Sequence, residues 1–265
     1  MGPQRIVCLT EEPTEILYAL GEQERIVGIS AFTVRPPEAR RDKPIVSGFT
    51  GGSVKKIVAL VPDLVIGFSD IQAELAKQLI AHNLSVLIFN QRSIREILAV
   101  IADVGRLVNR AAEAEALVAG YIERLERAGE SAARRSVKPR VYFEEWDEPP
   151  ITGIRWVAEL VRIAGGDDIF PERAAMSLAR DRILADASEV VRRAPDIILG
   201  SWCGKKFRPE RVAARPGWDA IPAVRDGELH EVKSPIILQP GPAALSDGLD
   251  ALHRIIVAWS AKRKD

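Results

Sequence analysis

Five aromatic side chains and six carboxylates fall just after short apolar runs in this sequence. Ile6-Val7-Cys8-Leu9 is followed by Thr10-Glu11-Glu12, and Ile26-Val27-Gly28-Ile29 by Ser30-Ala31-Phe32. Val46 is followed by Ser47-Gly48-Phe49, and Leu64-Val65-Ile66-Gly67 by Phe68-Ser69-Asp70. Arg140-Val141-Tyr142-Phe143 leads into Glu144-Glu145-Trp146-Asp147, and Ile197-Ile198-Leu199-Gly200 into Ser201-Trp202-Cys203-Gly204. Aromatic residues are only 6% of the chain, so this placement is informative. Apolar runs of four read as buried strands, and open α/β sheets bind ligands beyond the carboxyl ends of their strands. Phe32, Phe49, Phe68, Trp146 and Trp202 there offer flat contacts to a planar or bulky ligand. The plainer alternative is that each ring packs beneath its own loop. Glu11, Glu12, Asp70, Glu144, Glu145 and Asp147 suit a cationic ligand or one rich in amide N–H donors, and repel a small oxyanion. Solvation or helix capping is the plainer reading of these acids. Arg180, Arg182, Lys205 and Lys206 can offset them, which leaves the sign of the site open.

Catalytic signatures are weak. The stretch 200–206, Gly-Ser-Trp-Cys-Gly-Lys-Lys, is one residue short of a phosphate loop and has lysine where a magnesium-binding Ser or Thr belongs. Neither G-x-G-x-x-G nor G-x-S-x-G occurs. His82, His230 and His253 are isolated and lack zinc-site spacing. His230, in Leu229-His230-Glu231, reads as a strand residue. Cys203 at a strand exit reads as a small packed side chain, with a thiolate contact to a ligand's metal as the alternative. No catalytic residue and no protein metal site is expected.

The chain as a whole suits one large or two small domains at 265 residues. Lys plus Arg and Asp plus Glu are both 37, which excludes a broadly basic nucleic-acid binder and an acidic disordered tail. No apolar run approaches the roughly 20 residues that span a bilayer. Two cysteines are too few for a disulfide scaffold. Met1-Gly2-Pro3-Gln4 leads straight into the first strand, so a cytosolic protein or a mature form with its leader removed is expected.

The elements that must position the exits alternate. Pro13 opens a helix carrying Ile16, Leu17 and Leu20, and Gly21 closes it. Residues 54–60 and 74–81 read as helices, 86–89 as a strand, and Ser93 with Glu96 as a capping box. From 102 to about 135, apolar residues recur at helical spacing among Ala, Glu and Arg. One helix of roughly 30 residues would span about 45 Å, enough to brace two lobes. A second strand–helix series follows, with helices at 154–164 and 249–259 and a capping-box spacing at Asp186 and Glu189. Residues 54–67 and 187–200 share one skeleton of helix, Pro-Asp, apolar strand and Gly, so the halves read as repeats. The expected fold is α/β: two lobes with mostly parallel sheets joined by one long rigid α-helix, at residues 1–103, 104–136 and 137–265.

This layout resembles the helix-hinged (class III) substrate-binding proteins of ABC importers, which take up cobalamin, haem and ferric siderophores. The likeness rests on the stretches 5–10, 14–16, 19–21, 57–66, 73–74, 165–170 and 194–198, and is strongest toward the cobalamin-binding members. It implies two Rossmann-like lobes, a cleft between them for the ligand, and no catalysis. By position, Phe32, Phe49 and Phe68 match aromatics of the family's first lobe. Ile151 stands where those members have phenylalanine, and their second-lobe tryptophan falls near Arg180 to Arg182, of which Arg182 joins the expected set. With these, Glu11, Glu12, Glu145, Trp146 and Trp202 complete the expected ligand-binding set. The resemblance also implies docking on a permease through one surface glutamate per lobe, Glu74 and, with a poorer match, Glu189. It implies a corrinoid (cobalamin or cobinamide) as transported ligand rather than intrinsic cofactor, an inner-membrane permease as partner, no nucleic acid, a monomer, and a periplasmic or other extracytoplasmic location. Haem or a ferric siderophore is the alternative cargo. A leaderless cytosolic corrinoid-binding protein or enzyme is the alternative outside transport.

Overall fold

A computed structural model describes residues 2–48 and 50–263, and the chain divides into two compact units. Unit 1 holds Met1–Gln91, Arg95–Gly120 and Gln239–Ala243; unit 2 holds Arg92–Ile94, Tyr121–Leu238 and Ala244–Asp265.

In unit 1 five parallel strands, β1 (Ile6–Cys8), β2 (Ile26–Ser30), β3 (Ile45–Ser47), β4 (Leu64–Phe68) and β5 (Val86–Phe89), lie in the order β3-β2-β1-β4-β5. Helices join successive strands, as parallel pairing requires. Val7, Leu9, Val46, Ile57, Val65, Leu75 and Leu79 form its core. Each such side chain, fully buried, contributes about 1.5–3 kcal/mol.

Unit 2 carries β6 (Arg140–Asp147), β7 (Pro150–Thr152), β8 (Asp167–Asp168), β9 (Ile197–Gly200) and β10 (Leu229–Glu231), ordered β10-β9-β6-β7 with β8 also against β6. All pairs are parallel except β6–β7, an antiparallel hairpin. Glu144, Glu145, Trp146 and Asp147 therefore lie within a strand, not in the exit loop expected for them. The core here is aromatic: Tyr142, Phe170, Trp202, Phe207 and Trp218 among aliphatics.

The repeat has one physical logic in both units. Asp63 accepts hydrogen bonds from the backbone N–H groups of Gln4 (2.6 Å) and Arg5 (3.0 Å), at the start of β1. Asp196 accepts from Arg140 N–H (2.9 Å), at the start of β6. Each aspartate pins the neighbouring strand in register. The glycines at the ends of the two apolar runs, Gly67 one residue before the end of β4 and Gly200 at the end of β9, leave room for a side chain folding back over the strand end. A Cβ on Gly67 would sit 2.5 Å from Oε1 of Gln72, and one on Gly200 would overlap the Phe207 ring.

The single helix expected from 102 to 135 is two helices, Ile94–Leu107 and Ala111–Ala133. Asn109 adopts φ +59° between them, a left-handed conformation that asparagine tolerates. A Cβ on Gly105 would overlap that of Ala114, so glycine permits the two helices' close approach. The second helix has 23 residues, about 35 Å rather than 45 Å. Residues 239–243 return to unit 1, which periodicity did not reveal. Among the described residues no helix is long and apolar enough to cross a membrane.

Candidate functional site

The exits of β1, β2 and β4 in unit 1 are built differently from one another. Leu9, Thr10, Glu11 and Glu12 leave β1 and open the helix Glu11–Ala19. Both glutamates are buried, Glu12 to 2% exposure, rather than solvated. The Glu11 carboxyl is pushed up to about 7, by burial first and then by Glu15, although a backbone hydrogen bond opposes this. Glu12 is pushed up to about 8 by burial and by the neighbouring Glu11 charge. Among the described residues, one oxygen of each carboxyl and the hydroxyls of Thr10, Thr14 and Thr33 lack a hydrogen-bond partner. Gly241 packs directly on Glu12, since a Cβ there would lie 2.6 Å from that of Glu12. Its segment is tied down by Gln91 Nε2 donating to Pro240 O (3.0 Å) and by Ala243 N–H donating to Glu15 (3.0 Å). Glu15 also receives Arg35 at 3.0 Å. Burial pushes the Cys8 thiol beneath this cluster up to about 12, which leaves it unreactive.

Gln72 organises the β4 exit. Its Oε1 accepts from Phe68 N–H (2.9 Å) and its Nε2 donates to Leu9 O (3.2 Å), to which the Ser47 hydroxyl also donates (3.3 Å). Sequence reasoning passed over Gln72, although a glutamine following a strand exit by four residues is the available signal. Phe32, after β2, is 39% exposed; Phe68, ending β4, is buried. Phe49 lies outside the described residues. Glu74, in the first turn of Ala73–Ala81, is exposed and accepts a hydrogen bond from Gln78 at 3.1 Å.

In unit 2 several expected site residues serve the scaffold. Glu144 is fully buried and accepts from Tyr142 Oη (3.0 Å), Trp202 Nε1 (3.0 Å) and, bidentately, Arg215 (2.6 and 2.9 Å). Planar Arg–carboxylate forks are among the strongest protein hydrogen bonds. Trp202 is only 3% exposed and packs edge-on against Phe207, with ring centroids 5.0 Å apart. It was expected as an open stacking surface; Phe207, folded over Gly200, packs against it and covers it instead. Arg182, 1% exposed, pairs with Glu145 at 2.5 and 3.3 Å and donates to Thr152 O. The two satisfy each other's charge and hold the hairpin. Glu189 meets Arg193 (2.7 Å) and Arg173 (3.5 Å). It does not complete a capping box: Asp186 accepts from Ser188 N–H at 2.9 Å instead.

The hairpin brings Trp146 and Ile151 opposite each other. Trp146 is half-buried, donates to Glu148 O at 2.9 Å, and carries the Lys205 ammonium 4.0 Å from its ring centroid. Lys205 also pairs with Asp147, which Arg211 approaches to 3.7 Å. A cavity of about 490 Å³ opens here, lined by Asp147, Ser188, Arg211, Arg215 and Trp218. Among the described residues no cluster of three or more His, Cys, Asp or Glu could hold a metal ion. His230 pairs with Glu228 (2.8 Å) and His253 with Ser131 (3.1 Å).

The sequence profile of the periplasmic binding protein family matches residues 6–235. An ABC transporter substrate-binding lipoprotein, YvrC, of Bacillus subtilis (strain 168) is 25% identical, over 96% of this chain and 80% of its own length. A vitamin B12-binding protein of Pectobacterium carotovorum subsp. carotovorum (strain PC1) is 24% identical, over 80% of this chain and 74% of its own. The fold is shared with the periplasmic heme-binding protein RhuT of Roseiflexus sp. RS-1 (TM-score 0.80, 24% identity, 96% of this chain and all of that one). The chain therefore belongs to the periplasmic binding protein family, as a substrate-binding protein of the ABC-transporter type and not an enzyme.

Proposed function

We propose that this chain captures a corrinoid, cobalamin or cobinamide, and delivers it to an ABC permease of the inner membrane from the extracytoplasmic side. The observation that carries the reading is the buried Thr10–Glu11–Glu12 cluster at the end of β1. Burial disfavours the charge of both carboxyls, so the covered β1 exit is a neutral floor rather than an anionic one, which suits a ring fringed with uncharged amides. Phe32, Phe49, Phe68, Trp146 and Ile151 supply apolar contact, and the similarity to the Pectobacterium protein supports the same cargo. Glu145, Arg182 and Trp202 shape the hairpin and its floor. The corrinoid is cargo rather than a resident cofactor.

Glu74 is the docking glutamate we favour, because it is exposed. Glu189 shares its charge with two arginines. The protein acts as a monomer and without nucleic acid. Haem is the second reading, favoured by the fold likeness to RhuT and by the Lys205 ammonium over the Trp146 ring. Calorimetric titration with cyanocobalamin, dicyanocobinamide, haemin and a ferric hydroxamate separates the readings. Saturable heat with a corrinoid, and a raised unfolding midpoint, is expected. Heat with haemin or the hydroxamate alone replaces the corrinoid, and no heat with any refutes tetrapyrrole or chelate capture. With the cognate permease in vesicles, E74A lowers binding-protein-stimulated ATP hydrolysis if docking runs through that side chain.

A further inference from the structure

In unit 2 the loops after β9 and β10 enclose a pocket of about 300 Å³, lined by Trp202, Lys205, Lys206, Glu231, Lys233 and Pro235 among others. The two strands are adjacent and parallel, so the pocket sits where their carboxyl ends open side by side. Three lysines against one glutamate give the wall a positive sign. That glutamate is itself engaged: Glu231 pairs with Lys233 and accepts the Phe207 N–H at 3.2 Å. Burial disfavours its charge, yet Lys233, that N–H and Lys206 together hold its carboxyl below the usual range. Lys205 is held against Asp147 and lies 5.4 Å from the Trp202 ring centroid, which leaves Lys206 to face a guest, with Lys233 beside it sharing its charge with Glu231. Trp202, Val232 and Pro235 supply an apolar wall that lowers the local dielectric. The acid cluster of unit 1 suits amide donors; this pocket suits the opposite chemistry.

We propose that the pocket beyond β9 and β10 receives an oxyanion arm, carboxylate or phosphate, of the captured ligand. The proposal rests on the capture reading for its ligand but not for its site. It therefore selects cargo with an acidic substituent reaching past the ring: the propionate type or the nucleotide-phosphate type.

The full chain is titrated calorimetrically with pyrophosphate at low ionic strength, as wild type and as K206Q/K233Q. Saturable binding to the wild type, weakened roughly tenfold in the variant and by added salt, is expected. Unfolding midpoints should match, because both lysines are on the surface. A flat wild-type titration, or equal binding by the two proteins, overturns the proposal. Two ligand pairs then separate the sources: haemin against its dimethyl ester, and cyanocobalamin against dicyanocobinamide, which lacks the nucleotide phosphate. A preference for the acidic member that K206Q/K233Q erases identifies the arm as carboxylate or phosphate respectively. Equal affinity within every pair that binds overturns the ligand arm. Variant-sensitive pyrophosphate binding with no uptake of haemin or corrinoid supports the pocket and overturns the capture reading instead.

Discussion

Replacing Glu12 by glutamine keeps the shape of the β1 exit and removes one buried ionisation. The Glu12 carboxyl lies at about 8, against an ordinary 4.5. Because the folded-state value is raised, the folded chain keeps a proton that the unfolded chain has lost throughout the interval between those values. Stability is then fullest below about pH 4.5 and drains away as pH climbs toward 8, the reverse of a salt-bridged carboxylate. Between pH 5 and pH 8 the linkage amounts to at most about 4 kcal/mol for this group, at about 1.4 kcal/mol per pH unit. Glu11, pushed up to about 7, adds a smaller loss of the same sign. Urea unfolding of ligand-free protein at half-unit pH steps reads this directly. The wild type should lose stability steadily from pH 5 to 8, E12Q should lose markedly less, and E11Q/E12Q should be close to flat from this source. Identical pH slopes for wild type and E12Q would refute the argument, because they would place that carboxylate in water.

Breaking the unit 2 network at Arg215 leaves Glu144 charged and buried, so R215A should cost about 3 kcal/mol, whereas Y142F removes one neutral donor and should cost about 1 kcal/mol, both by urea midpoint. D63A and D196A should destabilise by similar amounts, about 1 kcal/mol each, since both delete a clamp on the neighbouring strand; a cost confined to one would break the equivalence of the halves. G105A pits a helix-propensity gain of about 1 kcal/mol against a methyl driven into Ala114 and close to Arg110 O. The overlap, about 1–3 kcal/mol, should win and lower the melting midpoint.

The alternating series and the repeat were readable because their signals are local. Pro-Asp before an apolar run needs no distant partner to be recognised, and Asp63 and Asp196 act on strands whose starts, Arg5 and Arg140, also look alike. What escaped depends on residues far apart in the chain. Glu144 looked like the end of a strand because charge interrupts an apolar run, yet Arg215, 71 residues later, keeps it buried and lets β6 continue. Trp202 looked exposed for want of any local sign that Phe207 would fold over Gly200. The break at Asn109 is carried by one backbone angle inside an otherwise unbroken helical pattern. At the candidate site, the identity of the β1 acids was legible but their burial was not, because their cover arrives from residues 239–243.

That late return has a practical corollary for anyone dissecting the molecule. A fragment truncated at residue 120 would contain every strand of the first sheet but not the Pro-Gly-Pro ribbon lying on Glu12. Water would reach the carboxyl, its acidity would relax toward that of a free side chain, and Glu15 would forfeit the amide of Ala243. The excised half would thus be a chemically different acid from the same residues in the intact polypeptide.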